Sequence, residues 1–509
     1  MKIVDLKLRE VRGVLEHPEP FWEERLIMPV DVYPEFRARG AQFMPGTGDG
    51  SYDLRAVFLE IHTDDGIVGL AGPCGRIEAF IIDTALRPLL IGRDPLAIEL
   101  LWDLMYRSTI HGRKGEPMMA ISVVDCGLWD LKGKALGQPV YRLLGGPTRT
   151  SFPAYASALG FSIEPEAAAR RAAGFAAEGY TATKWFFRDG PADGPDGVRR
   201  NLALAAALRQ AVGDDVDIML DAWSSWDVPY AIRLAGELAE YGIRWLEEPV
   251  LADKLDSYRE IRRSSPVAIA GGEHEYTRWG FRAIVESRAM DVLQPDICWC
   301  GGISETVKIC ALASTFDLPV IPHNHSTHAT AHLIAAQPPT TCPIQEYLVK
   351  WNIVHQFFLA DPLRPVAGTI TVPDAPGLGL AIEQSKVTAE RELNFRAGRT
   401  HSRAGVRRKA RSSGRRYRRR FSNASNSATR ASAARRAAAS RRRSSLLSLS
   451  VRTRSPLTGS RKRSSSRSIR NSSSSTALYI TCVPSASQLG RNRRYAPPLS
   501  SRPCNGGSR

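Results

Sequence analysis

The chain has 509 residues and a formal net charge of +17, and that charge is unevenly placed. Residues 397–509 hold 29 Lys+Arg and no Asp or Glu, so residues 1–396 keep 40 basic against 52 acidic side chains, a net −12. An acidic body excludes a basic nucleic-acid-binding core, and 396 residues suffice for two domains or for one α/β barrel with an appendage. The first twelve residues interleave Lys2, Asp5, Lys7, Arg9 and Glu10 with apolar side chains, unlike a secretory signal. No apolar stretch approaches the roughly 18–20 residues of a membrane span, so no membrane partner is expected. The eight cysteines are scattered and form no disulfide framework, which points to a reducing, cytoplasmic compartment.

In chain order, residues 3–11 alternate as a strand, and residues 55–72 read as two β-rich runs around the hairpin signal Thr63-Asp64-Asp65-Gly66. Between them lies a Pro/Gly-rich stretch, residues 18–52, too long for an ordinary connection. Residues 78–144 are helical in pattern and stop at Gly145-Gly146. From residue 154 the pattern changes. Short β-rich runs at 154–158, 181–187, 217–222, 243–248, 267–273, 291–296, 318–323 and 343–348 are separated mostly by amphipathic helical segments, such as 195–212, 229–241, 257–263 and 302–316. About eight such alternations are the sequence form of a (β/α) barrel. Residues 363–396 return to β and turn character and are expected to pack back on the first domain. Beyond residue 397 the Arg, Ser and Ala runs hold too few large apolar side chains to offset the entropy of ordering. That composition reads as a disordered extension or an out-of-register reading frame before it reads as an RNA- or anion-binding arm.

In a barrel, functional side chains sit at the C-terminal ends of the strands. Reading the polar residue there gives Asp221, Glu247, Glu273, Asp296, His323 and Glu346, spaced 26, 26, 23, 27 and 23 residues apart. Each interval is one βα unit, so the six groups recur at one height around the mouth. Three successive carboxylates, Asp221, Glu247 and Glu273, repel one another unless a cation joins them, and oxygen-only ligands select Mg²⁺ before Zn²⁺. An Asp held against a His fixes the tautomer and raises basicity, so Asp296 and His323 read as a general-base pair. Of the four histidines within ten residues, only His323 is read as catalytic; His325, His328 and His332 are assigned to loop or helix faces. Lys184 points inward near a strand end, able to bind or polarise a substrate carboxylate. Phe186, two residues on, occupies the place where a second base could have sat. Arg37 and Arg39, in the long 18–52 loop, are taken as partners for the polar tail of a substrate.

The run Asp125-Cys126-Gly127-Leu128-Trp129-Asp130-Leu131-Lys132-Gly133-Lys134, with Leu143-Leu144-Gly145-Gly146, resembles the enolase superfamily, mandelate racemase branch. Asp221-Ala222-Trp223, Trp245-Leu246-Glu247-Glu248-Pro249, Gly271-Gly272-Glu273-His274, Gln294-Pro295-Asp296 and Pro322-His323 follow in that family's order. The resemblance covers roughly residues 1–395. It implies a (β/α)7β modified TIM barrel, residues 147–362, under an α+β N-terminal capping domain, residues 1–146. Residues 363–396 return to the cap, and 397–509 form the disordered basic tail. It implies that Asp221, Glu247 and Glu273 hold one Mg²⁺ per subunit, that Asp296 and His323 are the catalytic dyad, and that Glu346 hydrogen-bonds the enolate oxygen as a neutral acid of raised pKa.

Within the branch the nearer likeness is to the L-rhamnonate dehydratase type, through Tyr230-Ala231, Ser257-Tyr258-Arg259-Glu260 and Trp299-Cys300-Gly301-Gly302, with His274 as a substrate contact. Two departures stand out: Phe186 where the racemases carry a second lysine, and Asn324-His325-Ser326 after the catalytic histidine. The implied reaction is loss of water from an aldonic acid to give a 2-keto-3-deoxy acid, in a homo-oligomer with a small sugar acid as its partner. A racemase or epimerase, another acid-sugar dehydratase, and a nucleic-acid-binding protein acting through the tail are the competing readings.

Overall fold

The computed structural model describes residues 1–37, 40 and 50–396. The chain divides into two units, Met1–Gly405 and Val406–Arg509, and every described residue belongs to the first. Arg39 and the expected tail, 397–509, lie outside the described residues.

The strands are, in chain order, β1 (Ile3–Glu16), β2 (Ser51–Thr63), β3 (Val68–Cys74), β4 (Ser151–Ser157), β5 (Ala182–Phe186), β6 (Asp217–Asp221), β7 (Ile243–Glu247), β8 (Ala268–Gly271), β9 (Val292–Leu293), β10 (Gln345–Leu348), β11 (Thr369–Thr371) and β12 (Ala389–Leu393). They form two sheets. An antiparallel sheet runs β12-β1-β2-β3, with Leu8 opposite Leu59 and Leu393. The hairpin between β2 and β3 turns where the sequence signals it, with the Thr63 hydroxyl donating to the Ile67 carbonyl at 2.9 Å and Gly66 at φ +80°.

The helix Glu116–Leu136 packs on this sheet at a glycine contact: a Cβ on Gly69 would fall 2.3 Å from the Gly127 carbonyl oxygen. Its two buried acids are structural. Buried Asp130 accepts the backbone N–H groups of Leu70 (2.7 Å) and Leu378 (2.8 Å) and pairs with Lys134. Buried Asp125 accepts the Ser304 hydroxyl and N–H at the start of the helix Gly302–Ser314, which ties the helix to the flank of the second sheet. The motif that marked the family in the sequence is therefore a fastening between the two parts rather than a piece of the site.

The second sheet is parallel and curled, in the order β10-β4-β5-β6-β7-β8-β9, with β11 antiparallel on β4. The expected strand at 318–323 is reduced to a bridge, Leu293 to Val320. Its backbone still reaches both ways: Ile321 N–H donates to the Leu293 carbonyl at 2.8 Å and Val320 N–H to the Thr341 carbonyl at 2.7 Å. One side chain from each of eight successive segments meets in a core of its own: Tyr155, Ala182, Met219, Trp245, Ala270, Val292, Ile321 and Ile344. These are the inward faces. Because side chains alternate along a strand, the residue two further on also faces inward, one layer nearer the strand ends. That places Lys184, Asp221, Glu247, Gln294, His323 and Glu346 in one layer. The outward residues, Trp185, Leu220, Leu246, Ile269 and Leu293, join the larger core under the helices.

The segment after residue 362 does not return to the first sheet alone. Residues 369–371 add β11 to the parallel sheet and residues 389–393 add β12 to the antiparallel one, so this segment spans both. Among the described residues no helix is long and apolar enough to cross a membrane.

Candidate active site

Asp221, Glu247, Glu273, Asp296, His323, Glu346 and Lys184 all lie at the mouth of the curled sheet, and all are buried. They divide into two sides. On the carboxylate side, Asp221 and Glu247 are register partners at the ends of β6 and β7. The Lys184 ammonium, from β5, touches Glu247 and lies 2.8 Å from Glu346 and 3.8 Å from Asp221. The other Glu247 oxygen accepts the Trp245 indole N–H and the Gln294 amide, each at 2.8 Å. Among the described residues Glu273 receives one long hydrogen bond, 3.3 Å, from the Trp223 indole, with His274 and His323 nitrogens 3.7 Å away. Burial, with Glu247 beside it, pushes the Asp221 carboxyl well above its usual range. Burial and the neighbouring Glu248 hold Glu273 up at about 7 despite His323.

The Lys184 ammonium, with the His274 and His323 rings near Glu248 and Glu273, still leaves fewer cations than carboxylates, and the surplus oxygens are what a hard divalent cation would satisfy. The donor set fits Mg²⁺. The tightest groupings of potential ligand atoms among the described residues, however, are Glu248-Glu273-His274 and Asp296-His323-His325, with Glu247 drawn aside by Lys184. Backbone strain collects here as well. Trp223 (φ +39°), Ser224 (φ +61°) and Glu248 (φ +40°), just beyond β6 and β7, are non-glycine residues in the left-handed region, at a cost of about 1–3 kcal/mol each.

On the histidine side, Asp296 is saturated. One oxygen accepts His323 Nδ1–H at 2.9 Å, His325 Nδ1–H at 3.0 Å and the His325 backbone N–H at 3.1 Å; the other accepts the Cys298 N–H at 2.7 Å. Burial alone would raise this carboxyl, but the two imidazoles hold it well below its usual range. His323 Nε2 faces Glu273 at 3.7 Å. Burial lowers the His323 pKa, and Glu273 with the Asp296 hydrogen bond outweighs that and lifts it to about 10.

Three expectations need correction or completion. Glu346 is not a neutral acid: burial favours the proton, but the Lys184 ammonium and His323 outweigh it and hold the carboxyl below its ordinary value. One of its oxygens accepts the Asn324 N–H at 3.1 Å and the other lies 2.8 Å from the Lys184 ammonium. Arg37 is not brought to the carboxylates. Its guanidinium donates to the Ala192 carbonyl at 2.8 Å and lies 3.6 Å from Asp193. His325 does lie in a loop, and from there its ring sits on the dyad's own aspartate. His328 and His332 do play structural parts, the first at the Asp361 carbonyl and the second accepting the Tyr141 N–H. His274 reaches the mouth, with Nδ1 2.8 Å from Glu248 and its ring near Trp223 and Trp299. Burial lowers the His274 pKa, and Glu248 carries it up to about 9. Sequence reasoning passed over His325, Glu248 and Gln294. The signal that could have found two of them is the two-residue alternation, from His323 to His325 and from Val292 to Gln294.

Comparison with known proteins agrees with this geometry. A family model described as "Enolase C-terminal domain-like" matches residues 167–386, and one described as "Mandelate racemase / muconate lactonizing enzyme, N-terminal domain" matches residues 50–145. The chain is 34% identical over 397 residues to an L-rhamnonate dehydratase of Saccharopolyspora erythraea, an overlap of 74% of this chain and 97% of that one. A solved structure of rhamnonate dehydratase from Gibberella zeae complexed with Mg aligns at 32% identity and TM-score 0.65, covering 76% of this chain and 96% of its own. A racemase from Streptomyces coelicolor A3(2) with bound magnesium aligns at 28% identity and TM-score 0.63, covering 76% and 98%. Sheet, strand-end chemistry and relatives thus agree, and the chain belongs to the enolase superfamily, in its mandelate racemase / muconate lactonizing enzyme branch, close to the L-rhamnonate dehydratases.

Proposed function

We propose that the protein is a Mg²⁺-dependent acid-sugar dehydratase acting on L-rhamnonate or a related aldonic acid. The observation that carries this is the single base: His323 is held by Asp296, while the strand that carries Lys184 ends in buried Phe186 and not in a second lysine. Proton exchange at C2 is then confined to one face, which suits elimination and not racemisation.

A proton α to a carboxylate is weakly acidic because its removal concentrates negative charge on the carboxyl group. Mg²⁺ held by Asp221, Glu247 and Glu273 would supply fixed positive charge against that development. His323 Nε2 takes the C2 proton, since its Nδ1–H is committed to Asp296. The resulting imidazolium then protonates the C3 hydroxyl as the C3–O bond breaks. Water leaves, and the enol tautomerises to the 2-keto-3-deoxy acid, so no proton or electron is left over. Lys184 is the nearby cationic donor for the developing oxyanion. Glu346, held ionised, fixes that ammonium and the Asn324 N–H instead of donating a proton of its own.

The same reading closes the parallel sheet into a (β/α)7β barrel over residues 147–362 beneath a cap of residues 1–146. The backbone bonds of Val320 and Ile321 and the eight-membered inner core support it. A homo-oligomer in a reducing cytoplasm belongs to this proposal; exposed Leu100, Ile110 and Trp279 and the six free cysteines among the described residues favour it. The test is a panel of five- and six-carbon aldonic acids with Mg²⁺, scored for 2-keto acid. L-rhamnonate or a near relative should turn over, and failure of every aldonic acid would refute the assignment.

A further inference from the structure

His325 is bound twice to Asp296, through its ring and through its own backbone N–H, at 3.0 and 3.1 Å on a single oxygen. An ionised carboxylate only accepts, so the His325 Nδ1 must carry hydrogen, and in the neutral ring Nε2 is left as a bare acceptor. The ring is held firmly: Trp299 packs on it at 4.4 Å between centroids and His355 at 5.2 Å, with the edge of Trp351 at 5.5 Å. Among the described residues none bonds its Nε2, and 18% of the side-chain surface stays open. The His323 and His325 rings are 4.8 Å apart. Two imidazoles thus hang from one aspartate with matching tautomers, and only one is needed to move the C2 proton.

We infer that His325 is a specificity-determining residue whose Nε2 accepts a hydrogen bond from a substrate hydroxyl beyond the reacting carbons, the C4 hydroxyl of an aldonic acid. The ring separation suits this. C2 and C4 of an extended chain are roughly 2.5 Å apart, and an outward-pointing hydroxyl with its hydrogen bond adds about 4 Å more. A second acceptor there cannot protonate the leaving C3 oxygen, because it has no hydrogen to give. It reads the hydroxyl, and a substrate lacking that group leaves no buried donor unmet but loses one bond. This inference rests on the dehydratase reading, and its test separates the two.

The test compares the wild-type enzyme with Mg²⁺ and the His325→Phe enzyme on L-rhamnonate and on its 4-deoxy analogue, with C2 deuterium exchange in D2O as a check on the dyad. Wild type should prefer the hydroxylated substrate by on the order of 10-fold in kcat/KM. His325→Phe should lose that preference, chiefly through a rise in KM, with C2 exchange persisting. His325→Gln, which restores a polar acceptor, should lie between the two and serves alone if the Phe variant does not fold. Equal discrimination in wild type and variant, or a fall in kcat and in C2 exchange at unchanged KM, would overturn the inference and make His325 a support for the dyad. Absence of dehydration by the wild type on any aldonic acid would instead refute the dehydratase reading itself.

Discussion

The two sides of the mouth are built from similar residues and are in opposite electrostatic states. On the histidine side one aspartate receives four N–H donors, from His323, His325 twice and Cys298, and its charge is fully matched. On the carboxylate side, Asp221, Glu247 and Glu346 share the Lys184 ammonium, and Glu273 has the His274 and His323 rings 3.7 Å away but no ammonium. Two of those carboxyls, Asp221 and Glu273, are held above their ordinary range by burial and by one another's neighbours. The contrast shows where each reagent belongs. A matched side keeps a fixed tautomer and can move a proton; an unmatched side is short of positive charge and can take a cation.

The largest expected effect breaks the matched side. His323→Asn removes the proton acceptor and should abolish dehydration, a loss of about a thousandfold or more, together with C2 exchange, while Mg²⁺ binding measured by calorimetry stays intact. Breaking the unmatched side comes next. Asp221→Ala, Glu247→Ala or Glu273→Ala should abolish activity with the fold retained by circular dichroism, because a missing oxygen ligand weakens the cation. Glu247→Ala should also be the least stable of the three. It strands the Trp245 and Gln294 donors and leaves Lys184 with Glu346 and Asp221, at about 1–3 kcal/mol for the unmet donors.

Asp296→Asn should weaken the reaction by about 10- to 100-fold, since the imidazole keeps its place but loses a carboxylate's support. A stability measurement sharpens the comparison without any substrate. A carboxyl whose folded pKa is about 7 against an ordinary 4.5 binds its proton more tightly when folded. Its contribution is present below pH 4.5 and lost as the pH rises to 7. The metal-free protein should therefore melt at progressively lower temperature across that window, and Glu273→Gln should flatten the trend. The smallest effect is expected from removing residues 397–509, which should leave kcat/KM within about twofold.

The strand-end spacing was legible because a βα repeat writes one strand end every 23 to 27 residues, and the inner-face alternation reaches Asp221, Glu247, His323 and Glu346, while Glu273 and Asp296 stand one and two residues past the inward positions 272 and 294. What was not legible is pairing. Nothing in the order of residues says that Lys184 spans three strands to reach Glu346, so the carboxyl expected to be neutral is ionised. Nothing local shows that His325 turns back onto Asp296, 29 residues earlier, because that depends on the loop after the weakest strand. The long 18–52 stretch was read as a source of substrate contacts. Arg25 instead pairs with Asp31 inside it, and Arg37 goes to the loop after β5. The Asp125–Lys134 run resembled the family most and took no part in the site, its acids being spent on backbone N–H groups and a serine.

The measurement that bears most directly on the division into a cation side and a proton side is histidine NMR of His323 in the metal-free and Mg²⁺-loaded protein. Without the ion, the unmatched Glu273 carboxylate should keep His323 as an imidazolium up to about pH 10. With Mg²⁺ added, the His323 titration should move down toward neutrality and the ring should become a usable base, with 2-keto-3-deoxy acid formation from L-rhamnonate appearing over the same range. A His323 titration that ignores Mg²⁺, together with dehydration that survives exhaustive chelation, would contradict the account.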